Sequence, residues 1–137
     1  MEYRAKLTRE GTNWLVEFPN CPGCQTFGNS KAKALRMAQE ALEGWLEAHL
    51  SSGQVPPRPK GKGGTPISIN STLAVVLQLR WARSDQGLSQ TDVAKRARVS
   101  QQAIAKLENP DGNPTIGTIQ KVAAALGLKL DVQLKAA

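Results

Sequence analysis

The sequence is poor in the residues that most catalytic and metal sites require. It has one histidine, His49, and two cysteines, Cys21 and Cys24, in 137 residues, and no aspartate before Asp85. Two cysteines are too few for a disulfide framework. Aromatic residues make up only 4% of the chain. No apolar run is long enough to span a bilayer, and the start (Met1, Glu2, Tyr3, Arg4) lacks the basic-then-apolar order of a signal peptide. These absences give the expectation of a soluble, cytoplasmic protein in a reducing compartment. Neither disorder nor a coiled coil fits a composition that is 40% hydrophobic and 21% charged.

What is abundant is positive charge. Lys plus Arg number 18 against 11 Asp plus Glu, a net charge of +7 that favours a polyanionic partner. The excess is uneven, because residues 1–60 hold 8 basic and 6 acidic side chains whereas residues 61–137 hold 10 and 5. Between the halves runs SSGQVPPRPKGKGG (51–64), where Pro56, Pro57 and Pro59 block helix and Gly61, Gly63 and Gly64 favour flexibility. A linker is therefore expected across 51–70, joining a module at 1–60 to a second domain at 71–137. Domains this small bury limited surface, so self-association is expected to support them.

In the first half, Tyr3, Ala5 and Leu7 alternate with polar residues, Glu10–Asn13 supplies a turn, and Trp14, Val16 and Phe18 alternate again until Pro19. A third short strand is expected at Cys24–Phe27. Ser30 then caps a helix with Leu35, Ala38, Leu42, Trp45 and Leu46 on its apolar face, ending before Gly53. Residues 66–70 (PISIN) add a fourth strand, giving the order β-β-β-α-β. Trp14 and Trp45 read as core aromatics joining sheet to helix, and Trp81 as packing.

From Ser71 the pattern changes to four short helices, capped by Ser71, Ser89, Ser100 and Thr115 and closed by Gly127. The fold class expected for the whole chain is α+β. The second and third of these helices flank a three-residue corner, Ala97-Arg98-Val99, and that spacing is the helix-turn-helix. Gln101, Gln102 and Lys106 point outward on the third helix, where Gln pairs with adenine and Lys with guanine or phosphate. Gln90 opens the second helix, where a backbone phosphate would lie. Lys129–Lys135 alternates Leu130, Val132 and Leu134 with polar residues, an orphan strand whose partner is expected in a second copy.

The segment GLSQTDVAKRARVSQQAIAKLEN closely resembles the helix-turn-helix of the Xre and lambda-type repressor family, over residues 72 to about 128. The resemblance implies base contacts from Gln101, Gln102 and Lys106, further DNA contacts from Gln90, Ser100 and Asn113, and an ion pair between Arg83 and Glu108. One departure is Arg98, where the family usually has glycine; a non-glycine residue at positive φ costs on the order of 1 kcal/mol, and its charge offers a backbone contact. The bland alternative is a helical protein-interaction domain whose glutamines merely face solvent.

Residues 14–59, WLVEFPNCPGCQTFGNSKAKALRMAQEALEGWLEAHLSSGQVPPRP, resemble the HicB antitoxin family. That resemblance, extending over residues 1–60, implies a degenerate ribonuclease-H-like module that blocks HicA, a small ribonuclease toxin, beside a DNA-binding half that represses its own operon. The expected partners are thus a HicA-like toxin, operator double-stranded DNA and a second copy in a dimer or higher homo-oligomer, with no membrane, cofactor or metal. Enzyme readings fare poorly. A two-metal nuclease site needs several carboxylates, and Glu40, Glu43 and Glu47 read as a solvated helix stripe. Cys21-Pro22-Gly23-Cys24 has C-x-x-C spacing, but it lies in a turn and lacks further zinc ligands. His49 has no triad partner in view and reads as a surface or helix-end residue. No catalytic residue is assigned. The rival from another class is a ligand-responsive or simple dimeric repressor whose N-terminal half binds no toxin.

Overall fold

The computed structural model describes residues 1–137, which divide into two compact units, Met1–Ala74 and Val75–Ala137. The first unit contains β1 (Glu2–Glu10), β2 (Asn13–Glu17), β3 (Gln25–Gly28), α1 (Lys31–Ser51) and β4 (Thr65–Ser68). All pairings are antiparallel, and the sheet order is β3-β2-β1-β4. The order β-β-β-α-β follows the sequence expectation. Strand β3 begins at Gln25 and not at Cys24, because the Cys24 N–H is bound to the Cys21 carbonyl (2.9 Å) and its own carbonyl accepts from Phe18 N–H (3.3 Å). Those bonds close a turn in place of a ladder.

Helix α1 starts where Ser30 Oγ accepts from Lys33 N–H (3.1 Å). Its buried residues are Ala34, Ala38, Leu42, Leu46 and Leu50, one straight i, i+4 row. They share the core with Tyr3, Ala5, Val16 and Ile67 from the sheet, and removing one such leucine side chain costs about 2–5 kcal/mol. Ala38, Leu42 and Leu46 are buried as expected, while Ala34 and Leu50 complete the row in place of Leu35 and Trp45. Leu35 and Trp45 are only half-buried.

The tryptophan expectation is corrected in the same way. Trp14 is half-buried, with the Arg9 guanidinium and Lys31 Nζ 5.8 and 5.7 Å from its ring centroid. Trp45 stacks on His49 at 3.8 Å, and His49 Nδ1 donates to the Trp45 carbonyl at 3.0 Å. Large amphipathic rings lie at the edge of this small core, where flanking cations and a histidine cover them. Trp81 is buried.

The Pro/Gly stretch does more than link. Pro56 is fully buried, Tyr3 Oη donates to the Pro57 carbonyl (2.7 Å), and Asn20 Nδ2 donates to the Arg58 carbonyl. A proline run presents carbonyls but few N–H groups, so two side-chain donors suffice to dock it at little entropic cost. The Glu40/Glu43/Glu47 stripe also needs correcting, because Glu43 Oε2 accepts from Asn70 N–H (2.6 Å) and Asn70 Nδ2 (3.1 Å).

Helix α2 (Ser71–Asp85) is capped by Asn70 and not by Ser71: Asn70 Oδ1 accepts from Leu73 N–H at 2.8 Å. The second unit continues with α3 (Gln90–Ala97), α4 (Gln101–Leu107) and α5 (Ile116–Ala125). Its core is built from Leu79, Val93, Ala97, Ile104, Leu107, Val122 and Leu126, with Val99 and Leu130 packed on the rim. Lys129–Lys135, expected as a strand, forms no ladder within the chain. Leu130 turns onto the core, while Val132 and Leu134 are 58% and 98% exposed. A strand needs a neighbour to bond to, and the unit offers none. No helix is long and apolar enough to cross a membrane.

Candidate nucleic-acid interface

Each end of α3 and the start of α4 is fixed by local bonds. Ser89 Oγ accepts from Asp92 N–H (3.0 Å) while Asp92 Oδ2 accepts from Ser89 N–H (2.8 Å), a reciprocal capping box. The Ser89 backbone and side-chain hydrogen bonds, with lesser help from Lys95 and Arg96, hold the Asp92 carboxyl below its ordinary range. At the other end Arg98 adopts φ 58°, ψ 44°, with Val99 N–H bound to the Ala94 carbonyl (3.0 Å) and Arg98 N–H to Lys95 (3.3 Å). These are the two bonds of a Schellman closure. The corner therefore takes the left-handed conformation that the family resemblance implied, with arginine in place of glycine. Ser100 Oγ then caps α4 by accepting from Ala103 N–H (3.1 Å), which leaves the Ser100 O–H free to donate outward.

Behind α4 lies a polar chain that crosses the unit. Glu108 accepts from Arg83 Nε (2.6 Å) and Nη2 (2.9 Å) and from Gln90 Nε2 (3.1 Å). Arg83 Nη1 also donates to the Leu88 carbonyl (2.8 Å). Gln90 Oε1 in turn accepts from Gln101 Nε2 at 2.7 Å. The Arg83–Glu108 pair expected by resemblance is present, with side-chain exposures of 13% and 9%. Arg80 was not singled out in the sequence, yet its Nε lies 3.7 Å from the same carboxylate. Burial first, and the Arg83 charge second, lower the Arg80 pKa, while Glu108 opposes the shift. The i, i+3 spacing of Arg80 and Arg83 on one helix was the available signal.

Gln90 is itself held in this network: its Oε1 and one Nε2–H are engaged, so the side chain orients Gln101, and its second Nε2–H stays available to an outside acceptor such as a phosphate. Gln101 keeps its amide oxygen and one N–H for an outside partner, held in one orientation by Gln90. Gln102 and Lys106 are exposed on the same short helix. Arg98 is exposed at the corner, and Asn113 (φ 43°) sits in the loop before α5. Lys106 and Asn113 line one shallow cleft of about 190 Å³ with Pro114 and Thr115. Gly112 lets that loop cross α4, because a Cβ there would stand 2.0 Å from the Lys106 carbonyl oxygen. The result is a surface of amides and cations around α4, with no carboxylate among the side chains lining the cleft. It suits acceptor-rich base edges and phosphates.

The remaining sequence candidates have other surroundings. Burial pushes the Cys21 thiol up to about 12, with Cys24 adding to the effect, and pushes Cys24 up to about 11. Thiols held neutral in a buried turn are poor nucleophiles. No group of three or more His, Cys, Asp or Glu side chains comes together in an arrangement that could hold a metal ion.

Comparison with known proteins divides the chain along similar lines. Residues 4–64 match the family described as HicB_like antitoxin of bacterial toxin-antitoxin system, and residues 79–133 match the family described as Helix-turn-helix. Antitoxin HicB 2 of Photorhabdus laumondii is 26% identical over 132 residues, spanning 96% of this chain and 95% of that protein. Antitoxin HicB 1 of the same organism is 27% identical over 126 residues, spanning 92% of this chain and 81% of that protein.

Proposed function

We propose that this chain, a HicB-like antitoxin module joined to a helix-turn-helix domain, neutralises a small HicA-like ribonuclease toxin by direct binding and represses its own operon. It acts by binding, with no catalytic role of its own, in the cytoplasm where both operator and mRNA are found. The observation that carries the DNA half is the α4 surface: Gln101 fixed by Gln90, with Gln102, Lys106 and Arg98 exposed around it. The toxin half rests on the family match over residues 4–64. The exposed Val132 and Leu134 support a dimer in which the two C-terminal segments pair. Two recognition helices would then reach successive major grooves about 34 Å apart on a palindromic operator.

Three measurements test this. Tagged protein expressed with its neighbouring reading frames should co-purify with a stoichiometric small protein that is toxic when produced alone; recovery of the tagged chain by itself would remove the antitoxin half of the proposal. The same preparation should shift upstream DNA in preference to random DNA, and equal affinity for both would remove the repressor half. Truncation at Leu128 should leave a monomer in sedimentation, whereas an unchanged dimer mass would refute pairing through the C-terminal segment.

A further inference from the structure

Strand β1 is longer than the strand that covers one of its sides. β4 pairs with Glu2 to Ala5 only, while β2 pairs with Lys6 to Glu10 on the opposite side. From Lys6 to Glu10, the side of β1 away from β2 therefore has no neighbouring strand. The β1–β2 loop is the two-residue Gly11-Thr12, whose closing pair Glu10↔Asn13 is a hydrogen-bonded one. Counting back from it, Lys6, Thr8 and Glu10 direct their backbone groups to β2. Leu7 and Arg9 direct theirs to the open side. Lys6, Thr8, Arg9 and Glu10 are exposed and Leu7 is half-buried, so this edge is accessible.

A cleft of about 370 Å³ opens where β4 stops and this edge begins. Arg4, Lys6 and Lys62 line it, beside Pro19 and the backbone of Gly63 and Gly64, and no acidic side chain is among the lining residues. The glycine loop is held in place by close approach: Gly64 has φ +63°, and a Cβ there would stand 2.5 Å from the Ala5 carbonyl oxygen. That contact fixes where the covered part of β1 ends. None of Arg4, Lys6 and Lys62 forms an ion pair, and Lys6 faces Glu17 in the register without one. Three unpaired cations on one concave wall repel each other, and a carboxylate-bearing ligand relieves that repulsion.

We infer that the Lys6–Glu10 edge of β1 accepts, by strand addition, an extended acidic segment of another protein, whose carboxylates lie against Arg4, Lys6 and Lys62. A peptide strand supplies both donors and acceptors, as the N–H and C=O groups of Leu7 and Arg9 require; a phosphodiester backbone supplies acceptors alone. A second copy of this chain would bring the same cations to the edge, and lysine on an open edge is a recognised barrier to self-pairing. The inference goes beyond the toxin reading and does not depend on it. A ribonuclease that grips RNA presents positive charge, so this cationic edge belongs to a different, acidic partner.

The test uses the full-length ¹⁵N-labelled protein and a doubly capped heptapeptide of alternating Glu and Val. The expected result is saturable shift changes at the Lys6–Glu10 amides and slowed hydrogen exchange at Leu7 and Arg9. Lys62→Glu, which lies in a loop outside the sheet, and the pair Lys6→Glu with Lys62→Glu should each retain a folded spectrum. The paired reversal should bind the peptide at least about tenfold more weakly. Equal binding of the corresponding Lys/Val peptide, shifts confined to Gln25–Gly28, or affinity unaffected by Lys62→Glu would overturn the inference. So would tighter binding of octauridylate in the same cleft, which would assign it to nucleic acid.

Discussion

Replacing Glu108 with alanine probes the polar chain that holds α4 in place. The Glu108 carboxylate is 9% exposed and is shared by Arg83, 13% exposed, Arg80, 14% exposed, and the Gln90 amide. Alanine removes the only carboxylate that Arg83 is bonded to here and leaves two guanidinium groups close together with little water. Breaking one partner of a buried pair in this way costs about 3–5 kcal/mol, far more than an exposed surface pair contributes. For a unit of about 60 residues each kcal/mol lowers Tm by about 4–8 °C, so the C-terminal unit should melt at least about 12 °C earlier. Gln90 also loses its acceptor, freeing Gln101 to rotate, so operator selectivity should fall even at temperatures where the unit stays folded. Glu108→Gln, which keeps an acceptor but not the charge, should fall between. The assays are thermal unfolding by ellipticity at 222 nm and competition binding of operator against random DNA. A Tm lowered by less than about 4 °C by Glu108→Ala would refute the reasoning, because the arginines would then be stabilised by something other than this carboxylate.

Gln102→Ala should weaken operator binding by about 1–3 kcal/mol per half-site while leaving random-DNA binding nearly unchanged, as read by competition titration; equal losses on both would assign Gln102 a sequence-independent contact. Arg98→Gly relieves a left-handed non-glycine residue but enlarges the freedom of the unfolded chain, so stability measured by urea titration should rise by no more than about 1 kcal/mol. If Arg98 holds a phosphate, the same variant should reduce the slope of log affinity against log salt by about 1. Because burial raises Cys21 and Cys24 from 9 to about 12 and 11, unfolded thiols ionise first and stability should fall as pH rises from about 9 toward 12. At pH 8 a thiol reagent should label them only as fast as the N-terminal unit opens; immediate labelling would contradict their burial.

The sequence by itself determined what depends on near neighbours in the chain. Ser30, Ser89, Ser100 and Thr115 were each legible as caps because a cap bonds a backbone N–H three residues on, and all four do so. The β-β-β-α-β order followed from alternation and one long periodic helix, whereas the left-handed corner at Arg98 came from the resemblance to the helix-turn-helix family. The Arg83–Glu108 pair was carried by resemblance, since 25 residues separate its members. Tertiary structure alone decided the rest. Which row of α1 is buried depends on how the sheet lies beneath it, which moved Leu35 and Trp45 to the margin. The docking of Pro56–Arg58, the Asn70 bonds to Glu43 and the presence of Arg80 beside Glu108 each join groups distant in sequence, whose meeting has no local signature. Gln90 shows the difference most plainly: its position at the start of α3 was readable, but its engagement with Gln101 and Glu108 required α3 and α4 to be placed against each other. The open half of β1 is of the same kind, because a strand's length is written in its own residues whereas the point at which its neighbour stops is set by the close approach of Gly64 to Ala5.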